Sequence, residues 1–297
     1  MDKESRKLPF RKNEFPPILA IFVMILVVIS WMGLGVLLAY CVDKIPFDKW
    51  NLGGVGDYIF VHTPYLLMFI ALFLCSNLIL KTDLRTLISG NDKKYRYKRS
   101  LIYGAIYMLL LAFISLFSIN TIEIDPAPFL EKLKYLIPVL IFTPMQAVSE
   151  EIFFRALPFR MAFKDRIPTR VYEIISISIF SGLFFIIPHL KNPEVIKNSE
   201  YLSALIYYFI WGALAMALGI YTKGFEIPIA MHIVNNLYVA LIVNYEGGAM
   251  PTHAFFINRS ATPSNWVSTI EAVAIFIVMF AIATIQNRKD KKGDING

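Results

Sequence analysis

Cysteine is scarce in this 297-residue sequence: there are two, Cys41 and Cys75, both inside apolar runs and neither in a CxxC spacing. That argues against a disulfide framework and against a thiolate metal site. Charge is scarce too. Charged residues make up 17% and hydrophobic residues 57%, against about 45–50% apolar in an ordinary soluble domain. With a mean hydropathy of +0.57, the chain reads as an integral membrane protein with one domain over 1–297. There is no HExxH, so the familiar soluble zinc-protease helix is missing. There is no internal repeat and no low-complexity tract. No A-x-A site follows the first apolar run, which at some 25 residues from Pro17 exceeds a signal-peptide core and is taken as a retained span. The net charge of +7 lies in loops and tails, where it speaks of topology and not of nucleic acid.

What is present is a series of apolar runs near the length of about 20 residues that crosses a bilayer. They are Pro17–Cys41, Tyr58–Leu80, Leu101–Ile119, Tyr135–Phe159, Tyr172–Leu190, Tyr201–Tyr221, Phe225–Tyr245 and Trp266–Ile285. The expected fold is all-α, a polytopic membrane helix bundle of about eight transmembrane helices. Lysine and arginine gather in the N-terminal segment, in 81–99, in 160–170 and in the C-terminal tail. An even number of spans places all four on one side, so both termini are expected in the cytoplasm, in a plasma membrane of prokaryotic type. In the 81–99 connector, Leu84, Leu87 and Ile88 have helical spacing, which suggests a segment lying on the membrane surface.

The stretch Pro138–Arg160 carries two adjacent carboxylates, Glu150 and Glu151, and Arg155 at the heart of an apolar run. An ionisable group in hydrocarbon is expensive and by default marks a functional site. Glu151 and Arg155 are four apart and share a helix face. Glu150 points about 100° away, so Arg155 is expected to neutralise Glu151 and leave Glu150 free to accept a proton from water.

Four histidines occur. His62 and His253 have no acidic or histidine neighbour at helical spacing and are expected to be ordinary. His189 closes its span. His232 is followed by Asn235 and Asn236, which puts an imidazole and an amide on one face of an apolar helix. Carboxylate, imidazole and amide groups from three helices are what a bundle would need to activate water and hold an oxyanion.

Three patterns occur in order, each in an apolar run: EExxxR as Glu150, Glu151 and Arg155, FxxxH as Phe185 to His189, and HxxxN as His232 to Asn236. Together they resemble the CAAX protease and bacteriocin-processing (CPBP, or Abi) family, the prenyl-protein endopeptidases of the Rce1 type. The likeness covers about Pro138–Tyr245, with a catalytic core expected over 135–245. It implies intramembrane hydrolysis of a peptide bond. Glu150 is then the general base, His189 holds the water with it, His232 and Asn236 form the oxyanion site, and Glu151 and Arg155 support. Ala156 stands where the family commonly has glycine. Both a metal-independent glutamate mechanism and a metalloprotease have been considered within the family. The metal-free site is the expectation here, with Glu150, His189 and His232 as ligands should zinc be used.

Two other classes compete. One is a non-catalytic membrane immunity or regulatory protein of the same fold. The other is a transporter relaying protons through the same groups, which the lack of inverted, broken halves disfavours. The expected partners are the lipid bilayer and a membrane-associated peptide or protein substrate.

Overall fold

A computed structural model describes residues 15–89, 95–117, 121–164, 166–196, 201–259 and 266–293. The order is α1 (Pro17–Val42), α2 (Gly53–Leu78), α3 (Leu84–Ile88), α4 (Tyr95–Phe117), β1 (Ile122–Ile124), α5 (Phe129–Lys134), α6 (Leu136–Phe163), α7 (Val171–His189), α8 (Pro193–Ile196), α9 (Tyr201–Tyr221), α10 (Glu226–Leu241), β2 (Val243–Tyr245), β3 (Phe256–Asn258) and α11 (Trp266–Gly293). Among the described residues, seven helices are long and apolar enough to cross a membrane: α1, α2, α4, α6, α7, α9 and α11. The helix bundle is as expected. Its outer faces carry exposed Leu101, Leu109, Phe117 and Ile137, as suits contact with lipid and not with water.

The seventh expected span, Phe225–Tyr245, is a helix, but a short one. α10 has 16 residues and gives way to β2 at Val243. It also begins inside the protein. Phe225, just before it, is fully buried, packs on Phe159 and donates its N–H to Ile88 O at 3.0 Å. The break ahead of it turns on Lys223 with a φ of 59°, and Gly224 N–H reaches back to Gly219 O at 2.9 Å. This is a left-handed helix terminus that leaves few carbonyls unsatisfied.

The expected surface segment around Leu84–Ile88 is instead drawn into the core. Leu87 is fully buried. Arg160, also buried, sends Nη2 to Ser89 O at 3.1 Å and to Thr86 O, and Nε to Leu87 O at 3.3 Å. An arginine counted among exit-loop charges is therefore the C-terminal partner of α3, satisfying the carbonyls a helix end leaves open.

The departure from all-α among the described residues is a small sheet of order β1-β3-β2. β1 runs antiparallel to β3 (Ile122 opposite Asn258) and β2 parallel to it (Val243 opposite Phe256). The loop between β2 and β3 is tied down by Asn244 Nδ2, which donates to Met250 O and Thr252 O, each at 3.0 Å. Beneath the sheet, buried Lys132 donates to Asp125 O at 2.7 Å, and His253 meets Asp125 at 3.4 Å. His253 thus has an acidic neighbour, brought from 128 residues away.

α9 and α7 cross at two glycines. A Cβ on Gly212 would stand 2.9 Å from Gly182 Cα and 2.9 Å from Phe185 Cβ. Small residues let membrane helices approach this closely, and the approach sets the height of Phe185 and His189 against α9. α10 lies between α4 and α6, and α2 packs on α1 and α6.

Candidate active site

α6 presents two faces at successive positions. Gln146 and Glu150 occupy one, four residues apart, and Glu151 and Arg155 the other. Glu150 is 1% exposed, and Glu151 and Arg155 are fully buried. Arg155 Nη1 pairs with Glu151 Oε1. Its Nε reaches Gly212 O at 3.4 Å, and the guanidinium lies 4.3 Å from the Phe185 ring centroid. The planar cation is held by a carboxylate on its own helix, a carbonyl on α9 and an aromatic face on α7.

Glu151 does a second thing that spacing alone did not disclose. Its Oε1 lies 2.8 Å from His232 Nδ1. A carboxylate paired to arginine accepts, so Nδ1 carries the proton and Nε2 is turned the other way. Nε2 lies 3.6 Å from Glu150 Oε2. His189 is fixed in the same sense: Nδ1 donates to Phe185 O at 2.7 Å, and the ring stacks on Tyr208 at 3.9 Å. Both imidazoles therefore have Nδ1 committed to the protein and Nε2 available.

Glu150 has a local partner that the pairing of Glu151 with Arg155 did not suggest. Gln146 Nε2 donates to its Oε1 at 3.1 Å. Among the described residues its Oε2 has no hydrogen-bond partner. The amides of α10 form a relay. Tyr107 OH donates to Asn235 Oδ1 at 3.0 Å, and Asn235 Nδ2 to Asn236 Oδ1 at 3.3 Å. With its oxygen so engaged, Asn236 keeps its NH2 for a ligand.

Glu150, His189, His232 and Asn236 all line one cavity of about 140 Å³, with Gln146 and Asn235 beside them and Gly248–Met250 on its rim. Glu151 and Arg155 do not line it; they stand behind His232. Read as straight spans, His189 and His232 fall at opposite ends of parallel helices. They meet because α10 starts within the protein and α7 leans on α9 at Gly182 and Gly212. Phe185 touches both rings, 4.5 Å from His189 and 6.0 Å from His232 between centroids. No three His, Cys, Asp or Glu side chains converge as a metal set among the described residues. Glu150, His189 and His232 share a cavity without meeting at one point.

Sequence reasoning missed Gln146, Tyr208 and Glu194. Gln146 was within reach, four residues before Glu150. Tyr208 sits in an unbroken apolar run, and Glu194 in a stretch read as a polar loop. Neither offered a pattern. His62 is buried and stacked on Tyr58 at 4.0 Å, its Nδ1 on Tyr58 O; it does not line the cavity itself but neighbours Gln146, which does.

The comparisons bear out the resemblance. Residues 132–238 match the family described as "Type II CAAX prenyl endopeptidase Rce1-like". The matched segment runs from α5 to the last turns of α10 and contains all three motifs. The "Uncharacterized protein YyaK" of Bacillus subtilis (strain 168) is 27% identical over 244 residues, which cover 79% of this chain and 77% of that one. No solved structure matches.

Proposed function

With residues 132–238 matching the Rce1-like family as the premise, we propose that this chain is an intramembrane endopeptidase that hydrolyses a peptide bond of a membrane-associated peptide or protein. One observation carries the reading: Glu150, His189, His232 and Asn236, from three helices, open onto a single cavity.

The chemistry follows from the fixed tautomers. Water bound between Glu150 Oε2 and His189 Nε2 gives its proton to Glu150 as its oxygen attacks the carbonyl carbon. Gln146 holds Oε1, so Oε2 does the work. The tetrahedral intermediate places its oxyanion against Asn236 NH2 and His232. His232 is held there by its Nδ1 on Glu151, with a second carboxylate, Glu150, facing its Nε2. Glu150 then returns the proton to the leaving amine. Arg155 pairs with Glu151 and so keeps His232 in place. No step is routed through a metal.

Topology supports the access this needs. α10 carries the chain back from the end of α9 to the sheet. Counted with the seven long helices it makes an even number of crossings, which favours both termini in the cytoplasm. The decisive experiment uses the full chain in lipid nanodiscs with a library of transmembrane peptides read by mass spectrometry. Glu150→Gln should lower cleavage by about 100-fold or more while melting as the wild type does. Equal cleavage by a folded Glu150→Gln protein ends the role of Glu150 as base.

A further inference from the structure

A second carboxylate opens on the same cavity. Glu194, on the single turn of α8, is 5% exposed and belongs to the cavity lining. Its Oε1 accepts from the hydroxyl of Tyr208 and from Asn192 Nδ2 at 3.1 Å. Its Oε2 is buried and has no hydrogen-bond partner among the described residues. Tyr208 ties the group to the chemistry, since its ring is the one stacked on His189. Glu194 is thus one aromatic ring away from the proposed water site.

The rest of the wall says what it would take. Among the described residues, the lining holds two carboxylates, Glu150 and Glu194, and no lysine or arginine. Tyr207, Tyr208 and Trp211 supply aromatic surface, which favours cations. A carboxylate oxygen kept from water without a donor is costly unless a ligand brings the donor. A divalent ion does not suit, because no set of three metal-ligating side chains converges there among the described residues. The cavity of about 140 Å³ has room for several waters or for the charged end of one side chain.

We propose that Glu194 is a substrate-recognition residue that takes an ammonium or guanidinium from a basic residue beside the scissile bond. The inference rests on the hydrolase reading for the words "scissile bond" and on geometry for the rest. The cation would donate to Oε2 while Tyr208 and Asn192 hold Oε1, so the carboxylate is already oriented before the substrate arrives. The same pull sets the register of the peptide over Glu150 and His189.

Two measurements test it. In nanodiscs, a transmembrane reporter peptide carries lysine, norleucine or glutamate at each of the six positions about its cut. At one position lysine should be cleaved at least tenfold better than norleucine, and Glu194→Gln should bring that ratio close to one, with Glu194→Asp keeping a preference. An undiminished ratio in Glu194→Gln overturns the proposal. The second measurement needs no catalysis. Calorimetry compares n-butylammonium with n-butanol on the Glu150→Gln protein, in which Glu194 is the remaining cavity carboxylate. The ammonium should bind at least tenfold tighter than the alcohol, and the preference should vanish when Glu194→Gln is added. If n-butylammonium shows no preference while Glu194 is intact, the subsite is refuted whether or not any peptide is cut. If the ammonium binds but nothing is cut, the hydrolase reading fails and the cation site stands.

Discussion

Consider Glu151→Gln. Glu151 and Arg155 are both fully buried and paired. The substitution keeps size and shape and removes one charge. It leaves the Arg155 guanidinium in low dielectric with Gly212 O and the Phe185 and Trp211 rings beside it. Breaking a buried pair from one side typically costs about 3–5 kcal/mol, so a loss of that order is expected. Arg155→Met should cost a similar amount by stranding the carboxylate. The double variant strands neither, and should recover most of the loss, giving a coupling of about 2–4 kcal/mol by the same reasoning. Reversible unfolding in bicelles, followed by steric trapping, measures all four proteins. Simple additivity of the two single losses would refute the ion-pair account. Activity provides a second axis. The double variant is expected to fold yet stay slow, because an amide in place of the Glu151 carboxylate no longer fixes the His232 ring through Nδ1 as the carboxylate does.

Other outcomes are open to direct test. Gly212→Ala places a methyl 2.9 Å from Gly182 Cα and from Phe185 Cβ, and such overpacking should destabilise by about 1–3 kcal/mol and lower cleavage by shifting His189; unchanged melting and turnover would contradict the close crossing. Cleavage should survive exhaustive removal of divalent metal, measured with a chelator followed by metal analysis of the active protein; loss on removal with recovery on adding zinc would decide for a metalloprotease. A reporter fused after Asn287 should read cytoplasmic, and a periplasmic signal there would discard the proposed topology.

Much of this was legible because a membrane makes polar groups conspicuous. Glu150, Glu151, Arg155, His189, His232 and Asn236 stood out against apolar runs, and the i,i+4 pairing of Glu151 with Arg155 needed only helix geometry. What was hidden depends on contacts between distant segments. Strands of three residues have no usable period, so β1, β2 and β3 stayed unseen, as did the meeting of His253 with Asp125. The Glu151–His232 bond joins residues 81 apart and could be supplied only by the packing of α10 on α6. Hydropathy saw Phe225–Tyr245 as a full span because burial in protein and burial in lipid select the same side chains. Arg160 and Leu87 were misplaced for a related reason: a basic residue beside a span looks cytoplasmic until its guanidinium is found closing a buried helix end.

Between Glu151 and Leu157 the helix α6 is wider than an α-helix. Ile152–Ala156 forms a π turn, and Leu157 N–H bonds back to Ile152 O. Such a turn accommodates one more residue than regular α geometry would. A deletion here would therefore not shorten a loop; it would turn the wide turn into an ordinary one. Removing one residue from 152–156 would allow regular α winding and leave the residues after it facing as they do now. Arg160 would stay at the end of α3 and Phe159 against Phe225. What would change is the turn itself, where Glu151 and Arg155 are paired. A single-residue gap in a relative at this place should accordingly be read as a local rebuilding of that pair, with the rest of the helix kept in place.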